Sequence, residues 1–253
     1  LMLSGMTAYD ALLHAFSTAG TGGFSNYAAG VRAFQSPLVE WILAAFMLAF
    51  GVNFVVYYKM ARGSFREALG SEELRWYLLI AGGSALVLAL NIRPLYAGWG
   101  EALRHGVFQV ASTMTTTGFA TGDFALWPQF SRMLLLLLMF LGACGGSASG
   151  GLKVVRGVLL VRLCLRQVRK TAKPRKVQVL RFEGKAQEES MLTQVAVFFF
   201  AYVGLLLLGV LFLSLENKFD FETNFTASLV CVSNTGVGLG AVAMSQLLGS
   251  ESS

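Results

Sequence analysis

Apolar residues in this chain come in long runs instead of the short alternations of a half-solvated surface. Met191–Leu215 contains no charged residue. At about 1.5 Å per residue it exceeds the ~30 Å hydrocarbon core of a bilayer, which predicts a tilted membrane span. Leu38–Tyr58 predicts a second span, interrupted only by Glu40 and Asn53. Trp76–Leu90, extendable to Ile92, predicts a third. Met133–Ala143 is apolar, then breaks at Cys144–Gly151 (CGGSASGG), and a helix resumes from Leu152 to about Arg169. Three amphipathic stretches, Thr7–Thr18, Glu101–Thr113 and Asp220–Val232, are too short to cross. Each runs into a cluster of Gly, Thr, Ser or Asn. A half-length helix followed by a polar turn between spans describes a re-entrant loop. Such backbone survives at membrane depth only where protein buries it or it lines a water-filled cavity.

Composition and charge sharpen this picture. Only 13% of the 253 residues are charged and 55% are hydrophobic, against ~25% charged in an average soluble domain. That excludes a water-soluble globule, and with it a cytosolic enzyme; the apolar content excludes disorder. Net charge is +6, but eleven of the 20 Lys and Arg residues lie between Lys153 and Lys185 and four between Lys59 and Arg75. Both clusters separate apolar runs, the positive-inside pattern of cytoplasmic loops. The clusters therefore read as topology and as contact with anionic membrane lipid, with no nucleic-acid partner expected. With both basic loops inside, all three re-entrant loops open on the outer face. Cys144, Cys164 and Cys231 form no CxxC, and two His residues are too few for a metal cage, so the cysteines read as packing residues. Glu40, Asn53, Asn91 and Arg93 read as interface anchors near span ends, Trp41, Trp76, Trp99 and Trp127 as aromatic belts, and His14 as a packed residue.

An internal repeat organises the chain. Ser17–Phe24 (STAGTGGF) aligns without gaps on Ser112–Phe119 (STMTTTGF), and Val232–Val237 (VSNTGV) follows with Gly236 under Gly118. The unit is span, pore helix, turn, span. It divides the chain into a partial repeat over 1–62, a complete repeat with a broken closing span over 72–170, and a partial repeat over 190–253. The expected fold class is all-α membrane, built from repeated span–pore helix–span units.

The turns carry a plausible chemistry. A dehydrated cation must be recoordinated by oxygen, and rings of backbone carbonyls assisted by Thr or Ser hydroxyls can do so. Carbonyls that point together need backbone angles open mainly to glycine. The three turns contain no carboxylate, which suits potassium; Asp123 follows the second turn and would raise cation concentration at the mouth. The competing explanation is glycines kept for tight loops or close helix packing. At the break, Gly145, Gly146, Gly150 and Gly151 permit bending while Ser147 and Ser149 can satisfy freed backbone groups; a simple packed kink is the alternative. A phosphate loop does not fit, because Lys153 is one position late and Val154 replaces the needed Ser or Thr.

The stretches FSTAGTGGFS, ASTMTTTGFATGDFALWP, GGSASGGLKVVR and SNTGVGLG closely resemble the Trk/Ktr superfamily of potassium transport subunits over essentially the whole chain. The resemblance implies four such repeats around a central ion pore, resembling the potassium channel pore fold, in the bacterial cytoplasmic membrane, each giving one filter wall. The walls here would be Thr21-Gly22-Gly23, Thr116-Thr117-Gly118 and Asn234-Thr235-Gly236, with potassium as the transported substrate and no cofactor in this chain. It implies an intramembrane gate loop at Gly145, Gly146, Ser147, Ser149, Gly150 and Gly151, with Lys153 coupled to it. It also implies a homodimer that binds a cytosolic nucleotide-binding regulatory subunit of the TrkA/KtrA type, docked on the basic loop 162–185. Val237 stands where relatives often carry proline. One filter wall and the last closing span are missing, so the chain reads as an internal piece of a longer polypeptide. The alternative, a sodium- or proton-coupled secondary transporter of another solute, calls for inverted repeats and an intramembrane carboxylate or His.

Overall fold

A computed structural model of the chain describes residues 1–122, 124–172, 179–236 and 238. Asp123, Val237, the Lys173–Lys176 part of the basic loop and everything from 239 onward lie outside the described residues.

Ten helices and one two-stranded hairpin make up the described residues: α1 (Ala8–Ala19), α2 (Pro37–Phe50), α3 (Phe54–Ala61), α4 (Phe65–Leu69), α5 (Glu72–Ile92), α6 (Trp99–Met114), α7 (Gln129–Leu141), α8 (Val154–Ala172), β1 (Arg181–Phe182), β2 (Lys185–Ala186), α9 (Glu189–Ser214) and α10 (Phe221–Ser233). Local chemistry sets many of the starts. Thr7 caps α1 through Asp10 N–H (3.1 Å), Asn53 caps α3 through Val55 N–H (3.0 Å), and Asp220 caps α10 through Thr223 N–H (3.2 Å). The Thr223 hydroxyl and N–H hold the Asp220 carboxyl below the usual carboxylate range. Proline at the first position opens α2.

The long helices show why their sequences carry no amphipathic signal. α5 buries Leu74, Tyr77, Ala81, Ala85, Leu88 and Ile92 in a stripe at three- and four-residue spacing, while Leu78, Leu79, Leu86 and Leu90 are exposed. α9 likewise buries Leu192, Val195, Tyr202, Leu206 and Val210 and exposes Phe200, Leu208 and Phe212. Outward leucines and phenylalanines on such a scale suit lipid and not water. The segment Glu72–Leu95 and helix α9 are each long and apolar enough to cross a membrane.

Helices α5, α6 and α7 form the centre. α6 packs on α5, α2 and α7, and α10 packs on α9 and α7. Gly106 brings α6 close to α5: a Cβ there would lie 3.3 Å from the Ala85 carbonyl oxygen. The largest apolar cluster joins α5, α6 and α7, a second joins α1, α2 and α6, and a third seats Leu180 and Phe182 against α8 and α9.

Three expectations change. The span expected as continuous over Leu38–Tyr58 is two helices, α2 and α3, bent by 88° at Gly51–Asn53. The lone polar Asn53, taken as an interface residue, is the N-cap of a new helix. Trp127 is buried and donates to the Tyr96 hydroxyl at 3.2 Å, so it belongs to the core and not to an aromatic belt. The polar residues expected near interfaces face protein partners: Glu40 pairs with Arg104 at 2.8 Å, and Asn91 donates to Ser131 at 2.7 Å. His14 is fully buried between the rings of Phe34 and Phe119, the packing role expected of it.

Candidate functional site

The three shorter helices α1, α6 and α10 end in one repeated piece of geometry. Each turn has a residue in the left-handed region, Thr21 (φ 50°), Thr116 (φ 55°) or Asn234 (φ 56°). Two residues later comes a glycine at positive φ: Gly23 (69°), Gly118 (86°) or Gly236 (80°). The left-handed residue's N–H donates three residues back, to Thr18, Thr113 and Cys231 (3.2, 3.2 and 3.4 Å). The next N–H donates five back, to Ser17, Ser112 and Val230 (2.7, 2.9 and 3.1 Å). These paired bonds form the Schellman helix end, which usually places Gly or Asn at the left-handed position. Only the third turn follows that preference. The first two place a β-branched Thr there, at a strain of about 1–3 kcal/mol.

A layer of hydroxyls backs two of the turns. Thr115 donates to the Ala111 carbonyl at 2.7 Å and lies 2.7 Å from the Thr117 hydroxyl. Ser233 donates to Leu229 at 2.6 Å and lies 2.8 Å from the Thr235 hydroxyl. With the Thr115 and Ser233 protons committed to the helix, Thr117 and Thr235 must be the donors in each pair. Their protons are then committed too, and what they present to a neighbour is lone pairs. The first turn has Gly20 and Gly22 at the matching positions and relies on backbone alone. Thr115 and Ser233 did not stand out in the sequence; the signal was a hydroxyl one residue before the left-handed position in the second and third turns. The middle turn is the most enclosed: Thr115, Thr116 and Thr117 are buried, whereas Gly22, Asn234 and Gly236 are exposed.

The first two turns touch. A Cβ at Gly23 would overlap the Thr117 carbonyl oxygen and lie 3.1 Å from the Gly118 carbonyl carbon. Gly23 is therefore required twice over, by its backbone angle and by its neighbour.

The segment between α7 and α8 forms a closed loop. Gly142 (φ 75°) ends α7, and the chain returns so that Leu152 N–H donates to Phe140, Lys153 N–H to Leu141 and Val154 N–H to Ala143 (3.1, 2.7 and 2.9 Å). Gly146 and Gly151 also take positive φ. Ser147 donates to the Cys144 carbonyl at 2.6 Å and lies 2.7 Å from the Ser149 hydroxyl. Lys153 donates to the Ser149 carbonyl and lies 3.0 Å from its hydroxyl. The break thus supplies part of its own polar satisfaction, through the serines the sequence suggested.

This loop meets all three turns. Thr21 donates to the Ala148 carbonyl at 3.3 Å. Gly150 N–H donates to the Thr116 hydroxyl at 2.6 Å. A Cβ at Gly150 would overlap the Ser233 carbonyl oxygen, so no larger residue fits between the loop and the third turn. The two strained Thr residues are the ones whose hydroxyls reach the loop. Beside it lies a cavity of about 460 Å³ whose lining includes Lys153, Arg156, Gln194 and Phe198, with the Arg156 guanidinium 4.1 Å from the Phe198 ring centroid. Among the described residues no group of His, Cys, Asp or Glu could hold a metal ion; oxygens of backbone and hydroxyl groups are what the turns offer.

Long apolar helices, shorter helices between them and glycine turns gathered over one loop define a class of multi-pass helical membrane protein. Within it, the chain belongs to the TrkH family of cation transport proteins, which it matches over residues 2–250. It is 34% identical over 246 residues to the Trk system potassium uptake protein TrkH of Salmonella typhimurium, covering 96% of this chain and 51% of that protein. It is 33% identical over 248 residues to the Trk system potassium uptake protein TrkG of Escherichia coli K12, covering 96% and 50%. The crystal structure of the potassium transporter TrkH from Vibrio parahaemolyticus matches with a TM-score of 0.89 at 34% identity, covering 96% of this chain and 53% of that one. The chain spans about half the length of the curated relatives it matches. The family is one of transport proteins and not enzymes, and its membership together with the apolar helices sets the chain in the inner membrane as a multi-pass protein.

Proposed function

We propose that this chain forms three walls and the gate of a potassium-uptake pore in a longer polypeptide. The walls are Thr21–Gly23, Thr116–Gly118 and Asn234–Gly236, and the loop through Gly145–Gly151 with Lys153 is the gate beneath them. The chain would hold one complete span–pore helix–span repeat and parts of two others. Potassium is the substrate, moving down its electrochemical gradient, to which the membrane potential contributes about 2.3 kcal/mol per charge per 100 mV. The observation that carries the reading is that one loop reaches all three glycine turns, through Thr21, Thr116 and Ser233. Carbonyl and hydroxyl oxygens without carboxylates favour a weakly hydrated monovalent cation. Walls that differ in their hydroxyls favour imperfect discrimination, so rubidium would pass with potassium.

The parent protein would act as a homodimer with a cytosolic nucleotide-binding regulatory subunit. The basic groove lined by Arg162, Arg166, Arg169 and Arg181 supports docking of such a partner at the cytoplasmic face. The test is complementation of a potassium-uptake-deficient bacterium with the full-length parent and with its Gly118→Ser variant. The parent should restore growth at low potassium, and the variant should lose discrimination of rubidium over sodium. Failure of the parent sinks the potassium reading, and unchanged discrimination in the variant sinks the filter assignment. Deleting Gly145–Gly150 should raise flux; normal expression with unchanged flux would leave only a packed kink.

A further inference from the structure

The gate loop is tied on its cytoplasmic side by a carboxylate that the filter and gate assignments leave unused. Glu73, in the first turn of α5, is buried (6% exposed), yet the basic residues clustered nearby in sequence do not pair with it among the described contacts. Both of its oxygens are taken. Oε1 accepts the Gly145 backbone N–H at 2.5 Å, and Oε2 accepts from the Asn53 side-chain amide at 3.1 Å. Asn53 is the cap of α3, and its segment is itself bonded to the loop: Cys144 N–H donates to the Gly51 carbonyl at 3.1 Å, and Phe54 N–H to the Gly146 carbonyl at 3.2 Å. The first half of the gate loop is thus held against the 88° break of the neighbouring repeat, with Glu73 bridging the two.

A second contact reaches Glu73 from the cytoplasmic hairpin. Its two turn residues, Glu183 (φ 52°) and Gly184 (φ 72°), both take positive φ, the geometry of a tight two-residue hairpin. The turn points Glu183 at the α5 N-terminus, where its carboxylate accepts from Ser71 Oγ at 2.8 Å and from Glu73 N–H at 3.1 Å. A negative group there also suits the helix dipole. Glu183 N–H donates back to Glu72 at 3.1 Å, and Arg162 of α8 binds both Glu72 and the Arg181 carbonyl. The hairpin lies in the same basic connection that carries the proposed docking groove.

We propose that Glu73 is the latch of the gate loop and that the β1–β2 hairpin, through Glu183, sets the latch, so that a partner pulling on the hairpin frees the loop. This rests on the reading of 142–151 as a gate. The network is contiguous and made of charge-assisted hydrogen bonds, which a small displacement of α5 would break together. Nothing in it touches the filter turns directly, so releasing it should change how often the pore opens and not what passes.

The experiment uses the full-length parent in liposomes, with Glu73→Gln, Glu183→Ala and the double variant. The Gln keeps the volume at 73 but turns an amide against the Asn53 amide, whose oxygen is already committed to capping α3. Each single variant should raise basal rubidium flux roughly tenfold with rubidium-over-sodium discrimination unchanged, and the double should add little to either, as expected of one network. Hydrogen exchange at the Gly145 amide should quicken in both single variants. Unchanged or reduced flux at normal expression overturns the proposal, as does strict additivity or a fall in discrimination. If Glu73→Gln fails to assemble, Glu183→Ala on the exposed hairpin decides alone. If the parent conducts no potassium, the exchange measurement still decides the latch: an unaffected Gly145 amide defeats it.

Discussion

The three glycine turns and the loop between α7 and α8, proposed as filter and gate, are both glycine-rich, non-helical backbone inserted between helices, yet they are held in opposite ways. Each turn closes its first backbone N–H bonds within the helix it ends: the N–H groups of Thr116 and Thr117 return to Thr113 and Ser112, and the other two turns repeat this. The loop between α7 and α8 ties its two ends to each other, and its middle depends on partners elsewhere: Glu73 of α5, Gly51 before α3, Thr21 and Thr116 of two turns. A segment satisfied by its own helix stays put when its surroundings shift. One satisfied by separate elements moves when any of them does. The same two residue types, Gly and Ser/Thr, are therefore anchored locally in one place and by distant partners in the other, which is what the proposed frame and the proposed moving part each require.

The sharpest attempt to break this comparison is Gly23→Ala. Its Cβ meets the Thr117 carbonyl, at a φ of 69° that L side chains rarely adopt. A penalty of about 3 kcal/mol should cut selective rubidium uptake roughly a hundredfold. If uptake of rubidium and sodium in the full-length parent keeps its ratio and rate, the turns are not a rigid frame. Gly150→Ala tests the movable part: its Cβ meets the Ser233 carbonyl and should push the loop aside. Basal flux should rise about tenfold with discrimination intact, the size of a 1.4 kcal/mol shift. A loss of discrimination instead would show that loop and filter move as one body.

Thr116→Val sharpens the boundary between the two regions, because it leaves the Gly150 N–H without its 2.6 Å acceptor while keeping the side-chain shape. Loss of about 1–3 kcal/mol at the loop should raise basal flux several-fold. Thr116→Ser, which keeps the hydroxyl, should leave flux near that of the parent; equal effects from both would assign the change to packing alone. The smallest effect belongs to Asn234→Gly, since Asn and Gly both accept the left-handed region. Thermal denaturation should show a midpoint within about 2 °C of the parent. A drop several times larger would mean that the Asn234 side chain carries more than backbone geometry.

Much of this was legible along the chain. The helices lie within a few residues of the expected segments, because apolar runs and capping residues such as Thr7 and Asp220 act locally. The three turns and the break at 144–151 were legible for the same reason: Gly, Ser, Thr and Asn end helices wherever they cluster. The 88° break at Gly51–Asn53 was missed because one glycine and one Asn in an apolar run look like a tolerated interruption. Read as a helix stop followed by an N-cap, Gly-Val-Asn does carry the signal. The hairpin was missed because two-residue strands leave no periodicity to detect.

The sequence by itself determined the membrane setting, the order of the long helical segments and the repeated turn chemistry, since each follows from residues near in the chain. Only the tertiary structure decided which of those pieces meet. Thr21 finds Ala148 across 127 residues, Glu73 finds Gly145 across 72, and Ser71 finds Glu183 across 112. Such pairings depend on how α5, α6 and α7 pack, and packing is settled by the shapes of all the buried side chains together. The chemistry of a Thr or a Glu can be read one residue at a time, but its partner cannot.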